Sequence, residues 1–203
     1  SLAVTDGYFN AKLKEHRVRV YPDKHYADIN LTLDSGPRYH FGNIQYENMQ
    51  DPVIKLIKSL VTIHPGDPYD ATKVGKLTQD ISSTGFFSQI DVRPLIDIQP
   101  VTSPLFNDEV PVSIAVIPNL NHEFQVGVGY STDEGPRFSM MWDKPWVNNY
   151  GHSLSSEALI SENRTEITSG YKIPVGNPLQ EYYNLQTGYQ KKNIEDTESE
   201  LYS

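Results

Sequence analysis

The chain has 203 residues, enough for one or two domains, with 37% hydrophobic, 11% aromatic and 21% charged residues. A net charge of −9 argues against a nucleic-acid-binding protein, which normally carries a basic patch. No apolar run approaches the roughly 18 residues a spanning helix needs, and cysteine is absent, so no disulfide or thiol chemistry is available.

In chain order, residues 1–9 read as the end of a helix stopped at Gly7 and followed by an aromatic pair. The stretch AKLKEHRVRVY alternates poorly and reads as an exposed strand. Pro22-Asp23-Lys24 turns the chain. Ala27, Ile29, Leu31 and Leu33 then alternate with polar residues, which predicts a half-buried strand. Ser35-Gly36-Pro37 closes this unit.

A second unit opens with a strand around His40–Tyr46, with Phe41 and Ile44 inward and an irregularity expected at Gly42. Asp51 and Pro52 read as cap and first position of a helix with an apolar stripe of Val53, Ile54, Ile57, Leu60 and Val61. Asp70 reads as the cap of a second helix, whose stripe is Val74, Leu77 and Ile81 and whose stop is Gly85. SQIDVRPLIDI reads as a strand that Pro94 confines to a sheet edge. Val110, Val112, Ile114 and Val116 form a further strand. The order is strand, helix, helix, strand, strand. Gly7-Tyr8-Phe9 recurs as Gly85-Phe86-Phe87, in each copy after a helix end and before two strands. Residues 1–37 therefore read as the tail of a like unit, and the chain as a piece of a longer protein.

After Asn119 the helical pattern stops. Phe124, Val126, Val128 and Tyr130 alternate with Gln125, Gly127, Gly129 and Ser131. The turn residues Asp133-Glu134-Gly135-Pro136 follow, then Phe138, Met140 and Trp142 on one face, which together predict an antiparallel hairpin. Three more alternating runs centre on Leu154–Ile160, Ile167–Ile173 and Tyr183–Tyr189, giving about five strands; the polar tail KKNIEDTESELYS reads as a loop. The apolar face of such hairpins meets either a second sheet, as in a soluble sandwich, or lipid, as in an outer-membrane barrel. Aromatics near strand ends, namely Trp142, Trp146, Tyr171 and Tyr183, are what a membrane-interface girdle needs.

Nothing in the chain signals catalysis. There is no G-x-S-x-G, and His16, His25, His40, His64, His122 and His152 show no ligand spacing. Asp133-Glu134 and Asp196–Glu200 read as solvated turns rather than acid–base pairs. Catalytic residues, metal ligands and cofactors are accordingly expected to be none.

The helix-helix-strand-strand unit with GDPYD and STGFFSQIDV resembles a POTRA domain. GVGYSTDEGPR, KPWVNNYGHSLS and YKIPVGNPLQEYY are similar to the first barrel strands of the TamA branch (translocation and assembly module) of the BamA-type outer-membrane assembly superfamily. The resemblance implies an α+β POTRA domain, β-α-α-β-β, followed by antiparallel strands of an outer-membrane β-barrel. It implies the C-terminal part of one POTRA over 1–37, a complete POTRA over 38–119 and the first, incomplete set of barrel strands over 120–203. It further implies outer-membrane residence with periplasmic POTRA domains, a TamB-like inner-membrane-anchored partner, outer-membrane client proteins and contact with the lipid bilayer. The implied activity is assembly or secretion of β-barrel clients such as autotransporters. In the family the first barrel strand forms a weak seam to which a client strand adds. Here that strand is Glu123, Phe124, Gln125, Val126, Gly127, Val128, Gly129, Tyr130 and Ser131. A POTRA edge strand at Ile90, Val92, Pro94, Ile96 and Ile98 would take a partner by strand addition. The alternatives are a sister-branch BamA-type insertase, a POTRA-barrel protein with a hydrolase domain outside this chain, and a soluble β-sandwich binding protein.

Overall fold

A computed structural model describes residues 2–96, 108–132, 135–194 and 197–202, the side chains of 193, 194 and 197–199 excepted. Ile98, Asp133, Glu134 and Asp196, named above, lie outside the described residues. The chain divides into two compact units: Ser1–Glu47 with Thr62–Thr78 and Asp91–Ile114, and Asn48–Val61 with Gln79–Ile90 and Ala115–Ser203.

The first unit begins with α1 (Leu2–Thr5), ended by Gly7 at φ +85°. Strands β1 (Lys12–Tyr21) and β2 (Tyr26–Asp34) form a two-stranded antiparallel sheet, joined by a single 3-10 turn over Pro22–Lys24. The expectation that β2 is half-buried is corrected: every residue of it is exposed, Ile29, Leu31 and Leu33 included. Alternation tells which residues share a face. It does not tell whether a second layer covers that face, and among the described residues none does.

Strands β3 (His40–Glu47), β4 (Phe87–Pro94) and β5 (Glu109–Pro118) form a three-stranded sheet in the order β3-β5-β4. Val110, Val112 and Ile114 of the central strand are buried, as are Phe41, Ile63, Tyr69, Val74 and Leu77 in the same unit. Gly42 lies inside β3 because a Cβ there would stand 3.1 Å from the Pro111 nitrogen, so glycine permits a close backbone approach.

Helix α2 (Asp51–Lys58) buries Val53, Leu56 and Ile57. Leu56 extends the expected stripe, and Ile54 is only half-buried. Asp51 is not the cap. Gln50 occupies that position in extended conformation (φ −79°, ψ 152°) without a side-chain cap bond, and Asp51 lies in the first turn, where its charge complements the helix dipole. Helix α3 (Ala71–Ser83) is capped as expected: Asp70 Oδ1 accepts the Thr72 amide at 2.8 Å and its hydroxyl at 2.6 Å. Gly85, at φ +69°, follows it.

The second unit carries a six-stranded antiparallel meander in the order β11-β10-β9-β8-β7-β6. Its strands are β6 (Glu123–Ser131), β7 (Gly135–Lys144), β8 (Ser153–Ser161), β9 (Arg164–Pro174), β10 (Tyr182–Ile194) and β11 (Thr197–Tyr202). The loop expected over the polar tail is corrected: residues 191–194 continue β10, and β11 pairs back on its end with Tyr189 opposite Tyr202 and Lys191 opposite Glu200. A strand with both faces polar has no period-2 signal, so the sequence pattern could not reveal it.

Candidate functional site

The register of the meander sorts its side chains into two faces. Phe124 lies opposite Trp142, Val126 opposite Met140 and Val128 opposite Phe138. Phe138 and Met140 continue across to Ile160 and Ala158, Ala158 to Ile167, and Leu154 to Tyr171. Tyr171 and Ile173 continue to Leu185 and Tyr183. Since paired residues of antiparallel strands share a face, these form a largely apolar surface running from β6 to β10, interrupted by the row Ser156, Ser169 and Thr187 and by Thr165. The other face carries Gln125, Ser139, Arg137, Ser155, Glu157, Glu166, Lys172, Asn184 and Gln186. On it Arg164 pairs with Glu166, and the Lys172 ammonium sits 3.9 Å from the Tyr182 ring centroid. One greasy and one polar face is the pattern of a barrel wall between lipid and a wet lumen.

The candidate seam residues Glu123 to Ser131 all lie on β6, at the edge of this sheet, where β7 is its hydrogen-bonded neighbour. Gly127 and Gly129 sit opposite Ser139 and Arg137. A Cβ on Gly127 would come within 2.6 Å of Ser139 Oγ, and one on Gly129 within 2.9 Å of Arg137 Nε. The glycines therefore do more than lower strand propensity: they leave room for the β7 polar side chains to fold over the β6 backbone. Just before β6, Trp142 Nε1–H donates to His122 Nδ1 at 3.0 Å, with the two rings stacked at 5.7 Å and Phe124 stacked alongside. Because the indole nitrogen only donates, that bond requires the imidazole Nδ1 to be unprotonated.

The second candidate site is the edge of the three-stranded sheet. Ile90, Val92 and Pro94 lie on β4, which is an edge strand; the strand ends at Pro94, short of the run expected to Ile98, and Ile96 follows it outside the ladder. Leu95 N–H donates inward to Pro111 at 2.8 Å, so by strand alternation the position before it, Pro94, turns its missing donor to the open edge. Beside this edge Arg93 reaches both Glu47 (3.4 Å) and Asp91 (3.5 Å). The Ser113 hydroxyl donates to Glu47, and this bond, with Arg93 adding to it, holds the Glu47 carboxyl below its usual range.

The four interface aromatics divide. Tyr183 is exposed, Trp142 and Tyr171 are half-buried, and Tyr171 meets His152 Nδ1 through its hydroxyl at 2.9 Å. Trp146 is a correction: it is 3% exposed and packed between Phe86 (5.8 Å) and Phe87 (5.4 Å), inside protein rather than at a headgroup layer. Position near a strand end could not separate the two cases. The signal that could have found it is the repeated Gly-aromatic-Phe stretch, whose second copy supplies both partners.

No protein-family profile matches the chain. Two curated relatives are similar to it: the outer membrane protein assembly factor BamA of Buchnera aphidicola, 28% identical over 99 residues, and BamA of Neisseria meningitidis, 27% identical over 96 residues. These matches cover 46% and 44% of this chain but only 16% and 12% of the relatives, so the chain spans a small part of their length. Among solved structures, that of BamA from Haemophilus ducreyi lacking POTRA domains 1–3 superposes over 99% of this chain and 38% of that one, with a TM-score of 0.73 at 16% identity. The fold is thus an α+β POTRA domain followed by antiparallel barrel strands, and over a little under half of its length the chain is similar in sequence to outer-membrane assembly factors of the BamA type.

Proposed function

We propose that this chain is the POTRA–barrel junction of an outer-membrane protein assembly or translocation factor, and that β6 is the seam strand to which client strands add. A member of this superfamily resides in the outer membrane with its POTRA domains in the periplasm. The observation that carries the reading is β6 itself: the first strand of the meander, apolar on one side and glycine-bearing on the other. Unpaired strand edges attract further strands, and soluble proteins generally blunt them with charge, proline or bulges. β6 has none of these between Phe124 and Tyr130, whereas β4 carries Pro94 and the Arg93 cluster. Client recognition by backbone pairing needs such an edge, and it tolerates many client sequences because the bonds are main-chain.

Within this reading residues 1–37 and 38–119 are POTRA units and 120–203 opens the barrel. The β4 edge at Ile90–Pro94 takes an extended partner, and the TamA branch, with autotransporter clients and a TamB-like partner, is the finer assignment. Its support is the stretches GVGYSTDEGPR and PWVNNYGHS. The sister reading, a general BamA-type insertase, is favoured by the two BamA relatives. Loss of autotransporter export with unchanged assembly of bulk porins on depletion supports the first, and a shared loss supports the second.

The seam is tested with Gly127→Cys, made in the intact protein together with a cysteine in the strand that closes the barrel. The chain has no native cysteine to interfere. Oxidation is expected to stop client insertion and reduction to restore it. Insertion at an unchanged rate in the cross-linked protein rejects β6 as the seam.

A further inference from the structure

Gly7-Tyr8-Phe9 and Gly85-Phe86-Phe87 both follow a helix, and both glycines hold a left-handed backbone, φ +85° and +69°. That conformation ends a helix and is reason enough for the glycine. It gives no reason for the aromatics, since almost any residue can follow such a stop. The aromatics have the same use in both copies: each receives rings from a segment further along the chain. Phe9 stands edge-on to Tyr39 at 5.1 Å and Tyr69 at 5.0 Å. Phe86 and Phe87 enclose Trp146. Each site also has a backbone bond from downstream: Tyr39 N–H to the Gly7 carbonyl at 2.9 Å, and Asn119 N–H to the Phe86 carbonyl at 2.8 Å.

In the second copy the inserted segment is the turn between β7 and β8, residues 145–152. Its shape is held by hydrogen bonds within the turn. Val147 N–H donates to the His152 carbonyl at 2.8 Å, Gly151 N–H to the Asn148 carbonyl at 3.0 Å, and the Asn148 side chain accepts the Tyr150 amide at 3.0 Å. Gly151 takes φ +75°, and a Cβ there would stand 2.9 Å from Leu56 Cδ2 and 3.2 Å from Phe86 Cε2. Asn149 Nδ2–H donates to Gln50 Oε1 at the start of α2. One turn therefore touches α2, the residues opening β4 and, through His152 and Tyr171, β9.

We infer that the Gly–aromatic–Phe element is a joint that receives an aromatic plug from the next segment, and that Trp146 is the plug positioning the opening hairpin β6–β7 against α2 and β4. Phe87 is the first residue of β4 and Trp146 lies two residues beyond β7. The inference deepens the proposed function but is read out separately from it, because the joint can be present whether or not β6 is a seam.

Hydrogen exchange on the intact protein in phosphatidylcholine vesicles tests it. Trp146→Ala and Phe87→Ala are each expected to speed exchange at Val147, Gly151 and His152 by about tenfold or more, since an aromatic pair is worth on the order of a tenfold shift in a local opening equilibrium. Trp146→Phe restores most of the protection. Phe9→Ala speeds exchange at Tyr39 and Tyr69 instead and leaves the turn unchanged. A disulfide between Gln50→Cys and Asn149→Cys re-protects the turn in Trp146→Ala, which distinguishes a lost joint from a misfolded sheet. Unchanged exchange at 147–152 in both alanine variants, or no rescue by the disulfide, overturns the joint. Seam cross-linking in these variants reports on β6 alone, so its failure leaves this result standing.

Discussion

Strands β5 and β6 are both valine-bearing, both alternate, and end in opposite surroundings. Ile114 of β5 is 0% exposed, whereas Val128 of β6 is 86% exposed. The difference lies in their neighbours. β5 is the middle strand of its sheet, and three consecutive residues, Val112, Ser113 and Ile114, are buried, so both of its faces are covered. β6 is an edge strand whose apolar row faces outward and whose other row is small or polar. The hydrophobic effect places Ile114 inside protein. On the proposed barrel reading it assigns Val128 and its neighbours to lipid, since exposed apolar residues gathered on one face mark a surface that meets another apolar phase. Alternation thus reports which residues act together, and the partner of the face must be found elsewhere.

The largest effect that sharpens this contrast is Ile114→Ala. Removing a buried isoleucine to alanine costs about 2–5 kcal/mol through lost transfer energy and an unfilled cavity. A shift of that size is expected in denaturant unfolding followed by a probe in the three-stranded sheet; a cost under about 1 kcal/mol would mean the strand is not close-packed. Next is Val128→Arg. A lipid-facing cation near the bilayer midplane costs about 2–4 kcal/mol, whereas the same charge on the lumen side is tolerated. Folding into lipid vesicles should therefore be impaired by Val128→Arg and nearly unaffected by Gln125→Arg. Equal costs for the two would break the assignment of faces, and with it the barrel reading.

Much of this was legible in the sequence where side chains obey one period. The caps and stops at Asp70, Gly7 and Gly85 are local chemistry, and the structure has them where the spacing put them. The β6–β7 hairpin follows from alternation and turn residues alone. What escaped was set by neighbours distant in sequence. Ile29, Leu31 and Leu33 alternate as a half-buried strand does but have no covering layer among the described residues. Residues 191–194 look like loop because the tail they open is polar, yet their pairing with β11 makes them strand. Trp146 read as a surface anchor because nothing within ten residues of it hints at Phe86 and Phe87. The site was half visible: the sequence located β6, and only the register showed that Arg137 and Ser139 fill the space its glycines leave.

The smallest effect separates the helix-bearing part from the meander by its response to acid. Asp70 caps α3 by accepting the Thr72 hydroxyl and amide, and these bonds hold its carboxyl below the ordinary aspartate value of 3.8. A depressed folded pKa means that protons bind the unfolded chain more readily than the folded one. The cap's contribution is therefore full above the unfolded value and is lost as pH falls through the lower folded value. Asp70→Ala is expected to cost about 1 kcal/mol near neutral pH. The gap between parent and variant should hold steady down to about pH 5 and close below about pH 4. Asp51→Ala at α2 removes only a first-turn charge with no cap bond, so its cost stays below that of Asp70→Ala, about 0.3–1 kcal/mol, and fades with added salt. No such acid step is expected from the apolar face of β6 to β10, which presents Phe124, Val126, Val128, Phe138 and Ile160 and has no carboxylate among them to protonate. An acid-induced loss of the meander that preceded loss of the helices would reverse the order and break the contrast between the two parts.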